Sequence, residues 1–140
     1  MSLQTKRRLW FFFAFCVVFL IFLFSSQNGE QSKETSGFFV ALFPFIEDQE
    51  QLTFVIRKLA HFSIFACLAF CLFQAVDTYD ISLPKKIIYT LLFCILYAIF
   101  DEWHQSFTPE RSPQILDISI DSLGSFTSIA LTNLYHKLRR

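Results

Sequence analysis

A chain of 140 residues has room for one domain, but 54% of it is hydrophobic and 20 residues are Phe, gathered in blocks, which excludes an ordinary soluble domain. The formal net charge is 0, so the basic footprint of a nucleic-acid partner is missing and no nucleic acid is expected. With three glycines and four prolines there is little material for long linkers.

Lys6, Arg7 and Arg8 precede an apolar run from Leu9 to Phe24. The exit FSSQNGEQ lacks a small-x-small cleavage site and more apolar blocks follow, so the run reads as a retained first span, about 9–26, rather than a cleaved signal. It is short for a hydrocarbon core of about 30 Å, and the flanking arginines and Trp10 suit the interface. Asn28 to Gln51 is polar and mostly acidic around one apolar island, Phe38 to Ile46. Nine residues containing Pro44 do not span, so the island reads as a short interfacial or re-entrant segment, with a lid over a site as the sharper alternative. The second span, about 58–76, is entered through Arg57 and Lys58 and has His61 one turn inside. After a polar turn, Lys85 and Lys86 lead into the third span, about 84–105, whose apolar part gives way to DEWHQ. Pro109 and Pro113 break the chain, and the fourth span, about 115–135, ends in HKLRR. The expectation is a single all-α domain over 1–140, a polytopic bundle of four transmembrane helices.

Cys16, Cys67, Cys71 and Cys94 all lie inside apolar blocks, where a thiol acts as a small hydrophobe, and no disulfide framework is expected. Of the basic residues, Lys6, Arg7, Arg8, Lys85, Lys86, Lys137, Arg139 and Arg140 fall on one side of a four-span chain, and Lys33, Arg57, Lys58 and Arg111 on the other. Eight against four places both termini in the cytoplasm of a multi-pass cell-membrane protein.

That topology gathers the unusual polar residues at one membrane face. Ser25, Ser26 and Gln27 end span one; Arg57, Lys58 and His61 open span two; Asp101, Glu102, His104 and Gln105 end span three; Arg111, Asp117 and Asp121 flank or open span four. Arg57 and His61 are four apart, Asp101 and His104 three apart, and Asp117 and Asp121 four apart, so each pair shares a helical face. Gly124, Ser128 and Thr132 continue the Asp117–Asp121 stripe, a run of small and polar residues that faces neighbouring helices. An acid at mid-membrane costs about 2.5–3.5 kcal/mol, so such residues find partners. For Asp121 the bland account is an ion pair with Arg57 or Arg111. The others have theirs: Ser25 and Ser26 as helix-end hydrogen bonders, Lys58 as an anchor, Trp103 as interfacial belt, Glu102 and Glu110 as solvated acids, Asp117 as a complement to the helix dipole.

The chemical accounts are two. His61, Asp101, His104, Asp117 and Asp121 form an oxygen and nitrogen set that suits metal-assisted hydrolysis, with a divalent ion as cofactor, or metal-free acid–base work with His as base. Gln27, Lys58, Glu102, Gln105 and Arg111 would then bind substrate, with Arg57 or Arg111 clamping a phosphate. No HExxH, nucleophile elbow or glycine-rich phosphate loop is present.

FSSQ after the first span, RKLAHFSIFACLAF opening the second and YAIFDEWHQSFTPERSPQILDISIDSLG joining the last two together resemble the VanZ-like membrane protein family. The resemblance runs from about Leu9 to Leu134 and falls on Ser26, Gln27, Lys58, His61, Asp101, Glu102, His104, Gln105, Pro109, Arg111, Asp117, Asp121 and Gly124. Glu110 stands where a glycine often precedes the arginine, and the loop continues as SPQIL. The resemblance implies a small polytopic protein of the bacterial cell envelope. The founding member is linked to resistance to the glycopeptide antibiotic teicoplanin, and the family name supplies no chemistry. Three readings follow: a site for an anionic lipid or lipid-linked wall precursor, enzymatic or not; an outer ion-pair network that only holds the bundle; and a transport or accessory subunit, which a single deep acid favours least.

Overall fold

The apolar blocks form helices because a backbone in lipid must satisfy its own hydrogen bonds. A computed structural model describes residues 1–139, and Arg140, counted above among the basic residues, lies outside them. Five helices and no strand make up the described chain: α1 (Leu3–Ser25), α2 (Gly29–Val40), α3 (Gln49–Val76), α4 (Leu83–Gln105) and α5 (Ile115–Leu138). All but α2 are long and apolar enough to cross a membrane, so the protein is a multi-pass, all-helical membrane protein.

Two elements differ from the sequence expectation. The first loop contains a helix that the sequence did not suggest, made of the polar stretch before the apolar island and the island's first three residues, Phe38 to Val40. Asn28 Oδ1 accepts the Gln31 N–H at 2.8 Å and Gln31 Oε1 accepts the Asn28 N–H at 3.1 Å, a capping box that starts α2. Ser32, Ser36 and Val40, one turn apart, are its buried face. Phe38, Phe39, Leu42, Phe43 and Phe45 remain exposed, an apolar edge suited to an interface. Second, α3 begins nine residues before Lys58, where the Asp48 carboxylate accepts the Gln51 N–H at 2.9 Å. At 28 residues it is about 42 Å long, more than the core requires, so Arg57, Lys58 and His61 sit in its third and fourth turns rather than at its mouth.

Helix α3 is the centre of the bundle and packs on all four others, most extensively on α5. Phe65, Leu68, Ala69 and Phe73 of α3 meet Cys94 and Ala98 of α4, Ile129 of α5 and Ala14 and Ile21 of α1. The α3–α5 approach is close because of one glycine: a Cβ on Gly124 would lie 2.3 Å from the Phe62 carbonyl oxygen. Ser125 continues that seam, its hydroxyl donating to the Asp121 and Phe65 carbonyls at 2.9 and 3.4 Å. Gly124, Ser125, Ile129 and Thr132 are buried, whereas Ser128, expected on the seam, is half-buried. Cys71 and Cys94 are buried and Cys67 is exposed on the outside of α3, and all four thiols are free.

Candidate functional site

The end of α1, the first half of α3, the end of α4 and the start of α5 meet at the bundle end opposite the chain termini. The inner face of α4 decides which polar groups enter. Cys94, Ala98, Asp101, Glu102 and Gln105 form one buried stripe at spacings of three and four, so the apolar face of the span runs directly into a polar one. Helix α5 adds Asp117 and Asp121, one turn apart, and both are buried. Four carboxylates, from Asp101, Glu102, Asp117 and Asp121, are thus enclosed, each at most 6% exposed. The solvated Glu102 expected from the sequence is corrected here: its place on the Ala98 stripe carries it inside.

Partners account for much of this charge. Lys58 Nζ donates to Asp117 Oδ1 at 2.5 Å and to Gln114 Oε1 at 2.9 Å. His61 Nδ1 lies 3.2 Å from Asp121 Oδ1. Asp121 therefore pairs with histidine, not with Arg57 or Arg111, because Arg57 lies a full turn before His61 on α3. Gln105 Nε2 donates to Asp101 Oδ2 at 2.8 Å, and Arg111 Nη2 donates to Gln105 Oε1 at 2.6 Å, so arginine reaches Asp101 through an amide. Glu102 Oε2 accepts the Gln114 N–H at 2.7 Å, which ties the start of α5 to the end of α4. Two buried carboxylate oxygens, Glu102 Oε1 and Asp121 Oδ2, have no hydrogen-bond partner among the described residues.

His104 is brought elsewhere. Three residues beyond Asp101, it is rotated toward α1, where Nδ1 lies 3.1 Å from Ser25 Oγ and the ring packs between Phe22 and Phe100. The expected set of His61, Asp101, His104, Asp117 and Asp121 therefore loses one member. The other four, with Glu102 added, form two groups around one imidazole: His61 with Asp101 and Asp121, and His61 with Glu102 and Asp117, each offering ligand-type atoms within 4.8 Å of one another.

Beside this cluster is a cavity of about 240 Å³ between α1, α2, α3 and α4. Ile21, Phe24, Phe39, Ile56, Ile64 and Phe65 make it apolar over most of its wall, and Arg57, His61, Asp101, Gln105 and Arg111 make one part of it polar. Ser32, Thr35 and Ser36 of α2 also line it, so the polar helix that the sequence left inside a loop forms one wall. Gln27 joins them, its side chain accepting from the Thr35 hydroxyl at 3.4 Å and its carbonyl from Arg111 at 3.5 Å. The capping box and the Ser32–Ser36–Val40 spacing are the sequence signals for this wall.

The two guanidinia are the unusual part of the lining. Arg57 makes no hydrogen bond or ion pair with a described residue, and Arg111 donates only to Gln105 and the Phe24 and Gln27 carbonyls. Burial, and then the nearby Arg57 charge, push the Arg111 guanidinium below its ordinary range. An arginine keeps its proton under such pressure, so two like charges face one small space without a carboxylate on either.

Arg111 is aimed by its loop. Glu110 has φ 62°, the left-handed region, at the position where the resemblance places a glycine. The same turn sits on the start of α2: the Gly29 N–H donates to the Pro109 carbonyl at 3.3 Å, and a Cβ on Gly29 would lie 2.8 Å from Glu110 Cβ.

A model of the family described as VanZ/LLP1 matches residues 10–136 of this chain. No curated protein and no solved structure matches it.

Proposed function

The chain belongs to the VanZ-like family, and from that premise we propose that it holds an anionic amphiphile of the cell envelope, a phospholipid or a lipid-linked wall precursor, in the cavity between α1, α2, α3 and α4. The observation that carries the reading is the pair of guanidinia, Arg57 and Arg111, lining one cavity with no carboxylate of a described residue bound to either. Arginine forks match phosphate and carboxylate geometry, and two of them in a confined space call for an anion. The remaining wall, from Ile21 to Phe65, suits an acyl or prenyl chain. Eight basic residues at the end of the termini against four at the other support cytoplasmic termini and a cavity open to the outer leaflet of the cell membrane.

In this reading Arg57 and Arg111 hold the headgroup, Gln27 and Gln105 keep Arg111 aimed, and Lys58 neutralises Asp117. His61, paired with Asp121 through Nδ1, lines the same cavity. The family's link to teicoplanin fits such a site, since a protein that binds or modifies an envelope lipid changes the surface the drug meets.

The experiment is lipid analysis of the protein purified in mild detergent, as wild type and as Arg57→Ala with Arg111→Ala. About one phosphate-bearing lipid should accompany the wild type and be lost from the double variant while the helical signal is kept. A wild type without bound anionic lipid, or a double variant that retains it, ends the proposal. A second reading is non-enzymatic and structural, favoured by the fact that Lys58–Asp117 and His61–Asp121 both tie α3 to α5. It expects Lys58→Ala and His61→Ala to lose stability and no anionic lipid to accompany the wild type.

A further inference from the structure

The carboxylates behind the cavity are not explained by the arginines that line it. Three helices converge on one point: α3 with His61, α4 with Asp101 and α5 with Asp121, whose ligand-type atoms lie within 4.8 Å of one another. Asp121 is fully buried, and its Oδ2 has no hydrogen-bond partner among the described residues. A buried, unpaired carboxylate oxygen between membrane helices is costly, and neither lysine nor arginine bonds to Asp101 or Asp121 among the described residues. The second group around His61 differs. There Asp117 already has the Lys58 ammonium at 2.5 Å, which takes the place a metal ion would need.

We propose that His61, Asp101 and Asp121 bind one divalent metal ion of the Mn²⁺ or Zn²⁺ type. One imidazole and two carboxylates are the mixed nitrogen and oxygen donors that such ions accept. The 3.2 Å from His61 Nδ1 to Asp121 Oδ1 is also the spacing of adjacent ligand atoms around a single ion, about 3.0–3.4 Å for bonds of about 2.1 Å. With ligands from α3, α4 and α5, the ion joins the three helices at the depth where Gly124 lets α3 and α5 approach. His61 and Asp101 line the cavity and Asp121 does not, so the protein ligands close one side and the other faces the cavity. Three protein ligands with a side left open is the arrangement of a catalytic ion rather than a structural one. His104 and Asp117 are outside this set: the first bonds to Ser25, the second to Lys58. The metal reading does not depend on the lipid, because neither arginine is a ligand.

The test is metal binding by the full chain in detergent. Purified wild type, stripped with chelator, is titrated separately with Mn²⁺ and Zn²⁺, and bound metal is counted by elemental analysis. One equivalent is expected. Asp101→Asn and Asp121→Asn should each weaken binding by roughly tenfold or more, and Glu102→Gln should leave it within about threefold. Bound Mn²⁺ should show nitrogen coupling in its electron paramagnetic resonance spectrum, absent in His61→Gln. If Asp121→Asn does not accumulate, Asp101→Asn carries the comparison, with circular dichroism to show that it is folded. Binding below about a tenth of an equivalent for both ions overturns the proposal. So does binding that survives Asp101→Asn, binding lost through Glu102→Gln, or a Mn²⁺ spectrum without nitrogen coupling.

Discussion

At the end of the bundle that carries the chain termini, charges stay on the rim. Arg7 donates to the Thr78 hydroxyl and carbonyl and lies over the Tyr79 ring, 3.8 Å from its centroid. Lys86 pairs with Asp77, whose side chain is 35% exposed. At the opposite end four acids are drawn inside, and Asp121 is 0% exposed. Interfacial anchoring explains the rim completely, because long cationic side chains keep their heads in water while their stems cover apolar surface. It explains nothing about Asp101, Glu102 or Asp121, whose short side chains cannot snorkel from inside a bundle. The contrast separates charge that stays in reach of water from charge that the bundle encloses.

The strongest way to break this contrast is to remove His61. His61→Ala leaves the enclosed Asp121 carboxylate without its partner, which is expected to cost about 3–5 kcal/mol. Denaturant titration of the detergent-solubilised protein measures it, and His61→Ala with Asp121→Asn should recover most of the loss. A single variant that melts with the wild type would mean that the inner charges are held no more firmly than the rim ones. Next in size is Gly124→Ala, which puts a methyl against the Phe62 carbonyl and should cost about 1–3 kcal/mol. Gly37→Ala is its control: a Cβ there meets nothing within 4 Å, so that variant should be neutral or slightly stabilising.

The loop at the polar end offers a smaller effect of opposite sign. Among the described residues Glu110 is the one non-glycine with positive φ. Glu110→Gly removes a left-handed strain of about 1–2 kcal/mol, part of which returns as glycine's larger unfolded-state entropy, so a gain of about 0.5–1 kcal/mol is expected. A raised melting temperature checks it; an unchanged or lowered one would mean that the Glu110 side chain contributes more than its backbone costs.

Much of this fold was legible because membrane helices announce themselves by composition. The four spans and the polar character of one end follow from hydropathy, length and helical spacing, whereas which cation meets which acid does not: Asp121 has His61 in place of the arginine expected. Spacing could not choose between faces at the end of α4. Asp101 and His104 share a face by the three-residue rule, but so do Ala98 and Asp101, and the burial of Ala98 decides for Asp101, Glu102 and Gln105. His104 then falls toward α1. Helix α2 was missed because its first nine residues are polar and the apolar island that begins inside its last turn, Phe38 to Ile46, outweighed the Asn28–Gln31 cap. The sequence offered Arg57 two places, as a clamp for phosphate and as a partner for Asp121; packing gives that carboxylate to His61 and leaves Arg57 lining the cavity.

A like-for-like pair at each end sharpens the comparison most directly. Two Lys–Asp pairs are available, one at each end: Lys86–Asp77 at 2.9 Å and Lys58–Asp117 at 2.5 Å. Their lysines are similarly covered, at 14% and 15% exposed, but the partner acids differ, with Asp77 35% exposed and Asp117 8%. Lys86→Ala should cost under about 1 kcal/mol, since Asp77 retains water as an alternative partner. In parallel double-mutant cycles the Lys58–Asp117 coupling should be the larger, toward the upper end of the roughly 0.6–1.7 kcal/mol seen for polar pairs between membrane helices. Equal couplings would show that enclosure of the acid adds nothing, and the two ends would then differ only in how many charges they carry. A larger value for Lys58–Asp117 would locate the difference in the desolvation of Asp117, the same cost that Asp121 bears one turn deeper with only a histidine to meet it.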